Sequence, residues 1–249
     1  MSSDPASVFT KENLDIYLRE LAKEFRKLNG TAISAEIILI GGAAILANYG
    51  FREMTTDIDV VMQTSSTMRS AINHVGDRFH LPNGWLNSDF MRTGSYSPNL
   101  RFYSKYYRTF SHVLHIRTIS AEYLIAMKLR SGRKYKNDLS DIIGILAEHK
   151  KQGISITREQ IETAVQNLYG GWSEFPTHSK KFIEDAFTTG NYEAVYQSVN
   201  IEEQQSKETL IHFDQKYPKV TTESNVNEIL EQLKKSHFDS TIETAAKPQ

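Results

Sequence analysis

Two hydrophobic rhythms divide the chain. Leu14, Tyr17, Leu18, Leu21, Phe25 and Leu28 recur at three- and four-residue intervals, which predicts an amphipathic helix ended by Gly30. The run Glu36-Ile37-Ile38-Leu39-Ile40, closed by Gly41-Gly42, is compact and β-branched and predicts a buried strand. A short helix over 43–49, a second strand over 57–62 and a helix over 66–79 with a Ser N-cap follow. Segments 85–93 and 100–119 are β-leaning, with turn points at Gly94 and Pro98. Beyond Ser120 the period becomes helical throughout: 121–129, 138–150, a helix opened by the capping box Thr157-x-x-Gln160, then 178–187, 193–213 and 225–235. The first ten residues read as frayed and the last ten as a loose tail. The expectation is an α/β (α+β) chain: a small mixed-sheet domain over 1–119, then a helical bundle over 120–249.

Composition narrows the class. The 249 residues are 39% hydrophobic and 24% charged, an ordinary soluble globular balance. The absence of Cys excludes cysteine–zinc sites, iron–sulfur clusters, thiol catalysis and disulfides, and fits a cytoplasmic location. The longest apolar run, 37–47, is too short to span a bilayer and is broken by the glycine pair, so it reads as core and no membrane association is expected. The eight His show no HExxH or other metal spacing.

Charge placement is more informative than the formal net charge of −1. Residues 90–137 hold ten basic residues and one acidic residue, Glu122, a net +9 on an otherwise acidic chain. Such a zone suits a phosphate-rich ligand if its charges share a face, and is ordinary surface if they do not. Within it, Arg101-Phe102-Tyr103-Ser104-Lys105-Tyr106-Tyr107-Arg108 would either stack the bases and pair the phosphates of a single strand, or be half core and half solvated face.

The candidate chemistry lies at Ile40-Gly41-Gly42 and Thr56-Asp57-Ile58-Asp59-Val60. In a strand, residues two apart share a face, so Asp57 and Asp59 project together while Ile58 and Val60 enter the core. Adjacent carboxylates repel unless a cation separates them, and an oxygen-only donor set suits Mg²⁺ or Mn²⁺. Glycines where a strand meets a helix let a phosphate approach the free N–H groups of the helix start.

In this order, the elements resemble the signature of the DNA polymerase β-type nucleotidyltransferase superfamily: an apolar residue, Gly, Gly or Ser, a spacer, then Asp-x-Asp between apolar residues. The gap from Gly42 to Asp57 is slightly long, and Gly at the second position removes a hydroxyl contact to phosphate. Residues 122–129, Arg133 and Asp138-Leu139-Ser140-Asp141-Ile142 are similar to the helical region of AbiEii-like abortive-infection and toxin–antitoxin nucleotidyltransferases. The resemblance implies an NTP substrate, a Mg²⁺ or Mn²⁺ cofactor on Asp57 and Asp59, and nucleotide binding by Gly41, Gly42, Thr56, Lys128 and Arg133. It makes Lys128 a triphosphate holder and gives Asp138 or Asp141 a role toward acceptor or base. It implies a tRNA end or protein hydroxyl as acceptor and a cognate antitoxin as partner. Read without the resemblance, Asp138 is an N-cap, Asp141 a first-turn acid, and Lys128 a snorkelling side chain. The superfamily's third carboxylate is not evident: the strand expected around 112–118 has no acid, and Asp89 is the nearest candidate as a metal ligand or a turn residue. The alternatives are a small-molecule (antibiotic) nucleotidyltransferase and a non-catalytic nucleotide- or RNA-binding module.

Overall fold

The computed structural model describes residues 8–222 and 225–245. Helix α1 (Lys11–Asn29) opens with a capping box from Thr10 and Asn13 and ends at Gly30, and its Leu14, Leu18, Leu21 and Phe25 are buried. Strand β1 (Ala35–Leu39) leads into helix α2 (Gly41–Asn48), then strand β2 (Ile58–Met62) and helix α3 (Ser66–Phe79), which packs on α1. Strand β3 is only Leu86–Asn87. The hairpin β4 (Ser104–Phe110) and β5 (Leu114–Ile119) completes a five-stranded mixed sheet of order β3-β2-β1-β5-β4.

Pairing direction places the ends of these strands. β1 runs antiparallel to β2 and parallel to β5, so the exit of β1, the entry of β2 and the exit of β5 lie at one edge. Ile40 N–H donates to the carbonyl of Asp59 at 3.1 Å, which sets the glycine turn directly against the entry of β2.

Helices follow from Ala121: α4 (Ala121–Ser131), α5 (Asp138–Lys151), α6 (Arg158–Tyr169), α7 (Thr177–Thr189), α8 (Tyr192–Lys216) and α9 (Val226–Ala245). The Thr157/Gln160 capping box opens α6 as expected. One apolar core runs across both parts, joining Phe9, Ile37, Ile58 and Ile116 to Leu124, Ile142 and Ala186.

Three expectations need correction. Most of 85–93 is not strand, because Asp89–Arg92 and Pro98–Tyr103 coil as 3₁₀ turns; Ser97 accepts the Asn99 N–H, and Pro98 brings no donor for a ladder. The first ten residues are not frayed throughout. Phe9 is fully buried and exchanges two backbone hydrogen bonds with Thr55, at 2.8 and 2.9 Å, while residues 1–7 lie outside the described residues. The expected C-terminal tail is helical to Ala245, and 246–249 lie outside the described residues.

The loop between α2 and β2 is packed down at several points. Phe51 presses its ring on Gly144 of α5, where an added Cβ would come within 2.5 Å of ring carbon Cε2. Gly144→Ala gains about 1 kcal/mol of helix propensity but overpacks this contact, a cost of about 1–3 kcal/mol. We expect net destabilisation, read as a lower urea midpoint with unchanged slope.

Candidate functional site

Ile58 and Val60 are fully buried, and Asp59 projects from the opposite face of β2. Asp57 stands one residue before the strand and is exposed, as is Thr56. Thr55 Oγ1 donates to Asp57 Oδ1 at 3.4 Å. Burial, reinforced by the charge of Asp57, pushes the Asp59 carboxyl up to about 6, while Lys136, Arg133 and a hydrogen bond from Asn87 pull it down. The pair is therefore an anionic site under electrostatic strain.

The glycines face it. Gly41 has φ +54°, a backbone region that side chains rarely adopt, and a Cβ there would stand 3.6 Å from Asp59 Oδ2. A Cβ on Gly42 would collide with the hydroxyl of Thr55 and lie 3.0 Å from Arg52 Nη2. The α2 N-cap is Ile40, which provides no side-chain cap, so the N–H groups of the first turn stay available to an anion.

Beside this edge lies a buried ionic cluster. Lys128 Nζ is 3.2 Å from Asp138 Oδ1 and 2.7 Å from Asp141 Oδ2, and its side chain is only 6% exposed. It is thus enclosed by two carboxylates and does not snorkel. Arg133 Nε donates to Asp138 Oδ2 at 2.8 Å, and Arg52 Nη1 to Asp141 Oδ2 at 2.5 Å. Asp138 is buried, yet Lys128 and Arg133 hold its carboxyl well below the usual range. It is the first residue of α5; the N-cap is Asn137. Arg133, 36% exposed, also acts on Asp59 and so links the cluster to the acid pair.

Glu203 of α8 was not anticipated. It accepts hydrogen bonds from the N–H groups of Leu139 (2.8 Å) and Ser140 (3.4 Å) and from the Ser140 hydroxyl. A carboxylate from another helix thereby caps α5. The available signal was a stripe, Tyr196, Val199, Glu203, Ser206, Leu210, at alternating three- and four-residue spacing with one acid in its buried seam. Burial, helped by Asp138 and Asp141, lifts Glu203 to about 7 against the pull of its hydrogen bonds.

Other expected residues lie apart. The strand beside β2 is β3, whereas β5 flanks β1; opposite Asp59 in the register stands Asn87, not an acid. Asp89 follows in a 3₁₀ turn, 78% exposed and 3.8 Å from Arg92. Among the described residues no group of three or more His, Cys, Asp or Glu converges as a metal cluster. Nor is the +9 segment one free cationic face. Arg92, Arg108, Arg117, Lys128, Arg130, Arg133 and Lys134 pair with Asp89, Asp15, Glu36, Asp138/Asp141, Glu174, Asp138 and Glu231. Lys105 and Tyr106 lie on edge strand β4, three strand spacings or about 14 Å from β2.

The family model described as nucleotidyltransferase of unknown function (DUF6036) matches residues 17–149, just over half of the chain. The chain belongs to this nucleotidyltransferase family. No curated protein and no solved structure matches it. The part matched to DUF6036 contains Gly41, Gly42, Asp57, Asp59, Lys128, Arg133, Asp138 and Asp141; Glu203 lies beyond it. No helix among the described residues is long and apolar enough to cross a membrane.

Lys128→Met would leave two buried carboxylates short of a partner. The expected loss is about 3–5 kcal/mol, read by chemical denaturation. Glu203 predicts a pH effect. Between its ordinary 4.5 and the buried value of about 7, the folded chain retains a proton that the unfolded chain has released. Its contribution to stability therefore falls as pH rises across that window. Glu203→Gln should flatten the dependence of unfolding free energy on pH between 4.5 and 7.

Proposed function

We propose that the protein is a Mg²⁺- or Mn²⁺-dependent nucleotidyltransferase that transfers an NMP from an NTP to a hydroxyl acceptor. The observation that carries this is Asp59, with Asp57 two residues before it, facing the uncapped glycine start of α2 across the β1–β2 edge, in a chain of a nucleotidyltransferase family.

The donor set suits a divalent cation. The charge of Asp57 raises the cost of ionising Asp59, which a cation would relieve; all donors are oxygens, and Mg²⁺ is commonly held by one or two carboxylates plus substrate phosphates. Asp57 and Asp59 would hold the ion, with Asn87 steadying Asp59 and Asp89 a further acid at the rim. Once bound, the cation neutralises charge on the triphosphate oxygens. The N–H groups of Gly41 and Gly42 bind phosphate oxygen, and Thr56 lies open at the same entrance. Arg133, anchored by Asp138, offers positive charge toward Asp59. Lys128 holds Asp138 and Asp141 in place and reaches the triphosphate only on release from them. The helices from α4 onward, which share one core with the sheet, close over the nucleotide.

In the transfer step the acceptor oxygen attacks the α-phosphorus in line, a new P–O bond forms, and the bond to the β-phosphate breaks to release pyrophosphate. Asn87 cannot take the acceptor's proton, which passes to solvent or to exposed Asp89. A tRNA end or a protein hydroxyl is the acceptor we favour, in an AbiEii-like toxin or phage-defence role with a cognate antitoxin, in the cytoplasm. The amide at position 87 favours one second reading, a nucleotide-binding module without transfer.

Labelled NTPs incubated with Mg²⁺, total tRNA and an aminoglycoside panel should label RNA or the protein itself. Asp57→Ala with Asp59→Ala should abolish Mg²⁺-dependent NTP binding and labelling while the unfolding midpoint holds or rises, because like charges are removed. Full activity in the double variant would refute the assignment. Tight NTP binding with no acceptor labelled would establish the binding module.

A further inference from the structure

Arg52 lies in the loop between α2 and β2, ahead of Thr56 and Asp57 and outside both motifs. Its guanidinium is fixed on two sides: Nε donates to the Met54 carbonyl at 3.0 Å, and Nη1 to Asp141 Oδ2 at 2.5 Å. The remaining nitrogen, Nη2, has no hydrogen-bond partner among the described residues, and it is 3.0 Å from the point where a Cβ on Gly42 would stand. It therefore borders the first turn of α2, whose N–H groups lack a side-chain cap.

Charge and access support this placement. The cluster brings three cations, Lys128, Arg133 and Arg52, to Asp138 and Asp141, and Arg52 shares Asp141 with Lys128. Lys128 is enclosed between both acids, whereas Arg52 is 17% exposed and keeps Nη2 open. A guanidinium suits this task because one edge can grip a carboxylate while another meets phosphate oxygens; an ammonium committed to the carboxylate has no second edge. The absent side chain at 42 leaves the space between Nη2 and the helix start clear.

We propose that Arg52 binds the terminal phosphates of the NTP at the glycine turn, with Asp141 as its positioning residue. This rests on the nucleotidyltransferase reading above and adds a phosphate ligand that the sequence motifs omit. Asp141 thereby acts on phosphate recognition indirectly, through the orientation of Arg52.

Calorimetric titration of the full chain with each Mg²⁺–NTP, the matching NMP and inorganic tripolyphosphate tests it. Arg52→Gln and Arg52→Lys should each weaken NTP and tripolyphosphate about ten- to a hundredfold and leave the NMP nearly unchanged. Arg52→Lys keeps a cation for Asp141 and should retain the wild-type unfolding midpoint, which separates lost phosphate binding from lost folding. If wild type binds NTP and Arg52→Lys binds NTP and tripolyphosphate equally well, the proposal for Arg52 falls and the proposed function stands. A parallel loss of NTP and NMP affinity together with a lowered midpoint in both variants would make Arg52 structural and overturn the proposal. If wild type binds none of the four NTPs, the nucleotidyltransferase reading falls, and this proposal with it.

Discussion

Lys128, held between Asp138 and Asp141, is the constraint on which the remaining arrangement depends. Burying an ammonium and two carboxylates is costly unless each finds close partners, and here the partners come from separated parts of the chain. Arg133 reaches Asp138 from the loop after α4, and Arg52 reaches Asp141 from the loop after α2. Helix α8 adds Glu203 at the start of α5, so the acids are fixed by backbone position as well as by charge. The helical half is thus joined to the edge of the sheet by electrostatics in a poorly solvated space, where misplacement of one partner exposes the cost of the others.

What could be read from the sequence depended on whether the signal was local. Period-based elements such as α1, α3 and the capping box of α6 fall where apolar spacing and caps place them, because each records its own burial within a dozen residues. The approach of Asp59 to the Gly41 turn was legible because two short motifs announce it, and antiparallel register brings them together. Asn87 was not legible. Its place opposite Asp59 comes from a two-residue strand too short to carry periodicity. The charge zone misled because linear density does not show that acids from α1, α5, the loop between α6 and α7, and α9 turn inward or outward to meet those bases. Arg52 had no pattern at all, since an arginine in a loop looks the same in sequence whether solvated or gripping a carboxylate.

The family match and the cluster divide the chain differently. The matched stretch contains the sheet, the glycine turn, the acid pair and the first two helices after the sheet. The cap on α5 comes from beyond it, at Glu203. A site whose acids lie in one stretch and whose support lies in another can keep its chemistry while its surroundings vary, because Ser140 and Leu139 need only an acceptor at the helix start.

The backbone bridge between Phe9 and Thr55 makes Phe9 a mechanical anchor for the loop that carries Arg52, Thr55 and Asp57. Force or strain applied ahead of Phe9 enters the fold through two hydrogen bonds and a buried ring, two residues from the acid pair, before α1 is engaged. The N-terminal approach is therefore a load path to the site, and whatever pulls on or crowds that end acts on the loop first.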